Sequence, residues 1–186
     1  MYTTPAKPTS AISTSKMNVG PDRNPETWEQ QLRNLLPLLG HRNWIVVADS
    51  AYPAQTAEGI RTIATSADHL DVLAGTLRAI AESRHVRANF YVDAEFRHVT
   101  EEDAPGVSAL RRELDYLLKN EKASELGHEQ VIAKLDESSR LYQVLILKTT
   151  LTIPYTTVFM QLDCGYWSDT AEKRLRHSLA NGVSAT

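Results

Sequence analysis

The sequence predicts a single α/β domain, a mostly parallel sheet with helices on both faces. Three observations predict it. Strand-like apolar runs alternate with amphipathic helical patterns along the chain, the order that packs helices against a parallel sheet. The first strand candidate, "NWIVVAD", is apolar almost throughout, as a strand covered on both faces must be. With 186 residues the chain suits one ordinary domain of about 100–200 residues.

The elements follow in order. Residues 1–24 are rich in Thr, Ser, Pro and Lys and lack the apolar run of a secretory leader; too polar to offset their ordering entropy, they read as a flexible tail. Asn24, Pro25 and Glu26 form a helix-start signature. The spacing of Trp28, Leu32, Leu35, Leu36 and Leu39 then predicts a helix over 25–39, stopped by Gly40. "NWIVVAD" is the first strand, "GIRTIAT" a short second one, and residues 67–83 an amphipathic helix carrying Leu70, Leu73, Leu77 and Ile80. "RANFYVDAE" returns to strand, residues 104–119 to helix, and 129–135 to a shorter helix before the strand "YQVLILKTT". "TTVFMQLDC" is a strand by its β-branched and aromatic content, and residues 167–186 read as an appended amphipathic helix after a domain over 25–166.

Composition removes several function classes. A formal net charge of −3 leaves no basic stripe for neutralising phosphates, so no nucleic-acid partner is expected. No stretch approaches the ~20 apolar residues of a spanning helix, so no membrane segment is expected either. Cys164 is the sole cysteine and reads as a core thiol in a reducing, cytoplasmic setting. Neither a G-x-G-x-x-G nor a G-x-x-x-x-G-K-[ST] loop occurs, so no nucleotide cofactor is expected.

The polar residues of interest lie at element ends, where ligands gather in open α/β sheets. "LPLLGHRNWIVVADSAYP" brackets its apolar strand with His41 and Asp49; His128 stands in "ELGHEQ" and Tyr155 in "TIPYTT". Two imidazoles, a carboxylate and a phenol form a set of proton donors and acceptors suited to a polyhydroxylated ligand. Taken singly, each also has a plain reading as a turn, cap or packed ring. His41, Asp49 and His128 are possible metal ligands by type, but no H-x-x-x-H pair supports a metal and none is expected. His69, His85, His98 and His177 read as surface or core histidines.

These residues resemble the motifs of the ribose pyranase and fucose mutarotase family, the RbsD/FucU type. "LLGHRNWIVVADSAYP" is similar to its opening Gly-His strand closed by Asp and a small-residue turn. "GHEQVIAKL" is similar to its later Ser-His-Glu-Glu helix, and "LKTTLTIPYTTVFMQLDCG" to its closing Pro-Tyr segment. The resemblance implies a cofactor-free sugar isomerase of α/β fold, a homo-oligomer with sites between subunits. It implies His41 as the catalytic histidine and Asp49, His128 and Tyr155 as sugar-binding residues, with Thr157 where the family often has Asn. Ile132 stands where the family often has Lys, and Ser50, Ala51 and Tyr52 replace an Ala-Gly-Leu type of turn. The altered pocket leaves an alternative from another class, a non-catalytic sugar-binding or scaffold protein of the same fold. If the strand between them is extended, His41 and Asp49 lie about 20 Å or more apart, so one monosaccharide meets both only where two subunits adjoin.

Overall fold

The structure, a computed structural model, describes residues 26–183. The expected tail and the Asn24–Pro25 helix start therefore lie outside the described residues. The first described helix, α1 (Trp28–Leu35), is capped by Thr27, whose hydroxyl accepts from the Gln30 amide while the Gln30 side chain accepts from the Thr27 amide. It stops short of the expected Leu39 because Pro37 has no N–H to continue the ladder; residues Leu36–Leu38 tighten into a 3₁₀ turn.

The remaining elements are β1 (Trp44–Ala48), β2 (Ile60–Ala64), α2 (His69–Glu82), β3 (Val86–Asp93), α3 (Val107–Leu117), β4 (Ser124–Leu126), α4 (His128–Ser139), β5 (Val144–Lys148), β6 (Val158–Cys164) and α5 (Asp169–Val183). β4 is too short, at three residues, for its sequence to show a period. The expected strand over 87–95 ends at Asp93, where a 3₁₀ turn (Ala94–His98) takes over.

The sheet order is β2-β5-β1-β6-β3-β4. β1 pairs parallel with β5, β2 with β5 and β3 with β4, whereas β6 pairs antiparallel with both β1 and β3. The sheet is thus mostly parallel, with β6 alone reversed. β1 lies at its centre with every residue buried, which its unbroken apolar run requires.

Alternation sorts the strands onto two faces. Ile45, Val47, Leu145, Leu147 and Met160 enter the core shared with α1, α2 and α3. Trp44, Val46, Val144, Ile146 and Phe159 pack on the other face against Val131 and Leu135 of α4. The turn before β2 approaches α4 closely at Gly59, where a Cβ would sit 2.0 Å from the Ser139 carbonyl oxygen; only glycine fits there.

Reversal of β6 decides which loops meet. The segment between β5 and β6 stays at the sheet edge where the parallel strands end, beside Asp49 after β1, Asp93 at the end of β3 and His128 after β4. At the opposite edge, the turn before β1 meets the end of β6 and the start of β3: the Arg42 amide donates to the Leu162 carbonyl at 2.9 Å. Cys164, expected in the core, ends β6 at this second edge and is only half-buried.

Candidate functional site

A cavity of about 510 Å³ opens at the carboxyl edge of the parallel strands, with Asp49, Tyr52, His128, Ile132 and Tyr155 in its wall. Asp49 enters through an Asx turn, its Oδ1 accepting from the Ala51 amide at 2.8 Å. The Ser50 amide donates to the Leu151 carbonyl at 2.8 Å, tying this loop to the segment before β6.

His128 is the first residue of α4, one position earlier than the sequence suggests, so its backbone N–H is free of the helix ladder. That N–H donates to both Glu95 carboxylate oxygens at 3.0 Å, a bond that holds the Glu95 carboxyl below the usual range. The His128 Nδ1 lies 3.1 Å from Oδ1 of Asp93, a carboxylate 1% exposed whose Oδ2 has no partner among the described residues. Burial raises the Asp93 pKa, and the His128 contact opposes it only in part. The Tyr155 ring stands edge-on to the His128 imidazole, centroids 5.6 Å apart. Tyr155 has φ +58°, a left-handed conformation uncommon for a bulky side chain; the Thr156 hydroxyl donates to the Ile153 carbonyl at 2.9 Å across this turn. Tyr52 Oη is buried out of hydrogen-bond geometry with nearby Gln55; burial, then the Asp136, Asp93 and Asp49 charges, push the phenol up to about 12.

Asp49, His128 and Tyr155, predicted from sequence, are therefore brought together. His41 is not. The five residues of β1, about 16 Å of strand, stand between it and Asp49. His41, Asp49 and His128 accordingly cannot ligate one ion within a chain. His41 lines a different cavity with Arg87, Asp163, Trp167 and Asp169. Its Nδ1 lies 2.7 Å from Oδ1 of Asp163; Arg87 reaches Oδ2 of the same carboxylate at 2.7 Å and Asp169 of α5 at 2.6 Å. Burial alone would raise the Asp163 pKa, but the Cys164 amide, Arg87 and His41 outweigh it and lower it. The His41 side chain remains 58% exposed. Thr157 is buried and faces a third cavity of about 260 Å³, lined also by Asp93, that shares Tyr155 with the first.

Sequence reasoning missed Asp93, Glu95 and the buried role of Tyr52. A signal existed for Asp93: a carboxylate closing the otherwise apolar "FYVD" has to find a partner once buried. It also passed over His69, which lies under the site. His69 Nδ1 is 3.1 Å from Thr149 Oγ1; that hydroxyl donates to the Ala48 carbonyl, so the imidazole N–H must donate to it. Nε2 is buried without a partner among the described residues, the Thr156 backbone lying near it but out of hydrogen-bond geometry. Burial pushes this imidazole down from 6.5 to about 4, the Thr156 backbone and the Asp49 and Asp68 charges opposing it only in part.

The unfolded chain therefore binds this proton more tightly than the folded one. Stability is full above pH ~6.5 and is lost as pH falls through about 4, by roughly 3 kcal/mol in total. Urea unfolding between pH 7 and 4 should show that loss, and His69→Leu should flatten it. An equally steep fall in the variant would assign it to other groups.

A model of the RbsD / FucU transport protein family matches residues 24–165. The chain belongs to the RbsD / FucU family. Helix α5 begins after the matched segment. The structure of Bacillus subtilis RbsD complexed with D-ribose is similar at TM-score 0.50 and 20% identity, over 72% of this chain and 91% of that one. The fucose mutarotase from Streptococcus pneumoniae in complex with L-fucose gives TM-score 0.49 and 16% identity, over 72% and 91%. FucU from Bifidobacterium longum gives 0.46 and 15%, over 72% and 93%. A search of curated proteins returns no significant match. Among the described residues, no helix is long and apolar enough to cross a membrane.

Proposed function

We propose that this RbsD / FucU member is a sugar mutarotase or pyranase, a cofactor-free isomerase that interconverts ring forms or anomers of a free monosaccharide in the cytoplasm. The convergence of Asp49, His128 and Tyr155 on one cavity carries the reading, supported by family membership and by a relative that binds D-ribose. Asp49, His128 and Tyr155 orient the sugar hydroxyls. His41, exposed at the far end of β1, enters the equivalent cavity of a neighbouring subunit as acid–base catalyst, so the working form is a homo-oligomer. Ring opening needs only that a proton leave the anomeric hydroxyl and another reach the ring oxygen, after which the aldehyde recloses on either face. General acid–base help of this kind contributes about 10²–10⁴-fold.

A second reading, sugar binding without turnover, is favoured by Ile132, an apolar side chain in the cavity wall. Saturation-transfer NMR of anomer exchange across a panel of aldoses separates the two. Exchange above the buffer rate supports the isomerase; binding without acceleration supports the other. The same panel tests specificity. Ile132 cannot donate to a sugar hydroxyl, and a hydroxyl left desolvated and unpaired costs about 1–3 kcal/mol. A deoxy sugar should therefore exceed ribose in kcat/KM by roughly 5- to 150-fold. Ribose proving the best substrate would refute this specificity.

A further inference from the structure

We infer that Asp93 is a positioning residue that turns His128 into the second proton-transfer group of the site, facing the sugar with its Nε2 lone pair. This rests on the isomerase reading and assigns His128 a role beyond holding a hydroxyl. Three features lead to it. The Asp93 carboxylate is 1% exposed, and its one hydrogen bond among the described residues is to His128 Nδ1, at 3.1 Å. A carboxylate is an acceptor when ionised, so this contact selects the tautomer protonated on Nδ1 and leaves Nε2 bare. The residue is held elsewhere as well: Glu95 accepts from the His128 backbone N–H, and the Tyr155 ring packs edge-on against the imidazole. Nε2, across the ring from Asp93, has no partner among the described residues, and the side chain lines the cavity that contains Asp49.

The reaction requires two proton-handling groups acting together. His128 Nε2 takes the proton of the anomeric hydroxyl, and the electrons of that O–H bond form the new carbonyl. The bond from anomeric carbon to ring oxygen breaks, its electron pair going to the ring oxygen, which receives a proton from His41 of the adjoining subunit. Reclosure runs the same transfers backwards, so protons and electrons balance over the cycle. The imidazolium formed at His128 lies against the buried Asp93 carboxylate, with Glu95, Asp49 and Glu129 the other carboxylates around it and Tyr52 and Tyr155 the phenols. This is the geometry in which a buried carboxylate sets a histidine's tautomer and stabilises its charged form.

The test pairs a spectroscopic readout with a kinetic one. In ¹⁵N-imidazole NMR of the wild-type chain near neutral pH, His128 should carry its proton on Nδ1; in Asp93→Asn, whose amide can donate to Nδ1, the form protonated on Nε2 should appear. In the anomer-exchange assay the same variant should lose about 10²-fold or more in kcat with KM changed less than about threefold. A His128 protonated on Nε2 in the wild type would overturn the inference, whether or not the variant folds. So would unchanged kcat in a folded Asp93→Asn protein. If no aldose is turned over by the wild type, the isomerase reading and the base role of His128 fail together, and the wild-type tautomer alone then decides the positioning role of Asp93.

Discussion

Replacing His41 by alanine should lower the rate of anomer exchange by about 10²–10⁴-fold, to near the buffer rate, and leave the fold intact. The two halves of that result have separate physical causes. The side chain is 58% exposed and lies in a turn, so its removal opens no cavity. Asp163, its partner, keeps the Cys164 amide and the Arg87 guanidinium, and is not left unpaired. The stability change should therefore stay within about 0.5 kcal/mol, the range of ordinary surface substitutions. The rate falls because proton transfer to the reacting oxygens loses one of its agents. Circular dichroism and a urea midpoint establish the fold, and saturation-transfer NMR reads the rate. A well-folded variant that retains its activity would remove His41 from the mechanism.

Mixing inactive His41→Ala and Asp49→Ala proteins should restore activity, the clearest signature of a site shared between subunits. Within one chain His41 and Asp49 line separate cavities at opposite edges of the sheet, so under the proposed mechanism each chain supplies two half-sites. In an equimolar, randomly exchanged oligomer, half the cavities keep Asp49 and half of those meet an intact His41. About a quarter of the sites are then complete, and the mixture should recover roughly that share of wild-type activity. Exchange must be verified independently, for example by mass spectrometry of isotopically labelled chains. No recovery despite proven exchange would refute the shared site and place the catalytic group elsewhere in the Asp49 cavity.

The local patterns that sequence reveals are those in which neighbours along the chain share one environment. The apolar run of β1 announces a strand buried on both faces because each of its residues must face a core, and its central place in the sheet follows. The stripe of Leu70, Leu73, Leu77 and Ile80 announces α2 in the same way. Placement of Asp49, His128 and Tyr155 at element ends was legible too, since polar residues interrupting apolar runs mark where elements stop. Helix boundaries were less so: Pro37 rather than Gly40 ends α1, because competing stop signals lie within a few residues of each other.

From residue patterns alone, an α/β chain could be read whose candidate site residues sit at strand and helix ends. Which of those ends meet follows from the folded arrangement of the sheet. Inserting β6 antiparallel between β1 and β3 returns Tyr155 to the edge where Asp49 and His128 lie, and sends Asp163 to the edge of His41. The Asp93–His128 contact likewise joins residues 35 apart, and the His41–Asp163 contact residues 122 apart. Strand order and direction come from packing summed over both faces of the sheet, a non-local quantity that leaves no mark in a short window of residues. A buried carboxylate is recognisable in sequence as a group needing a partner; which partner it finds depends on the neighbour that the sheet places beside it.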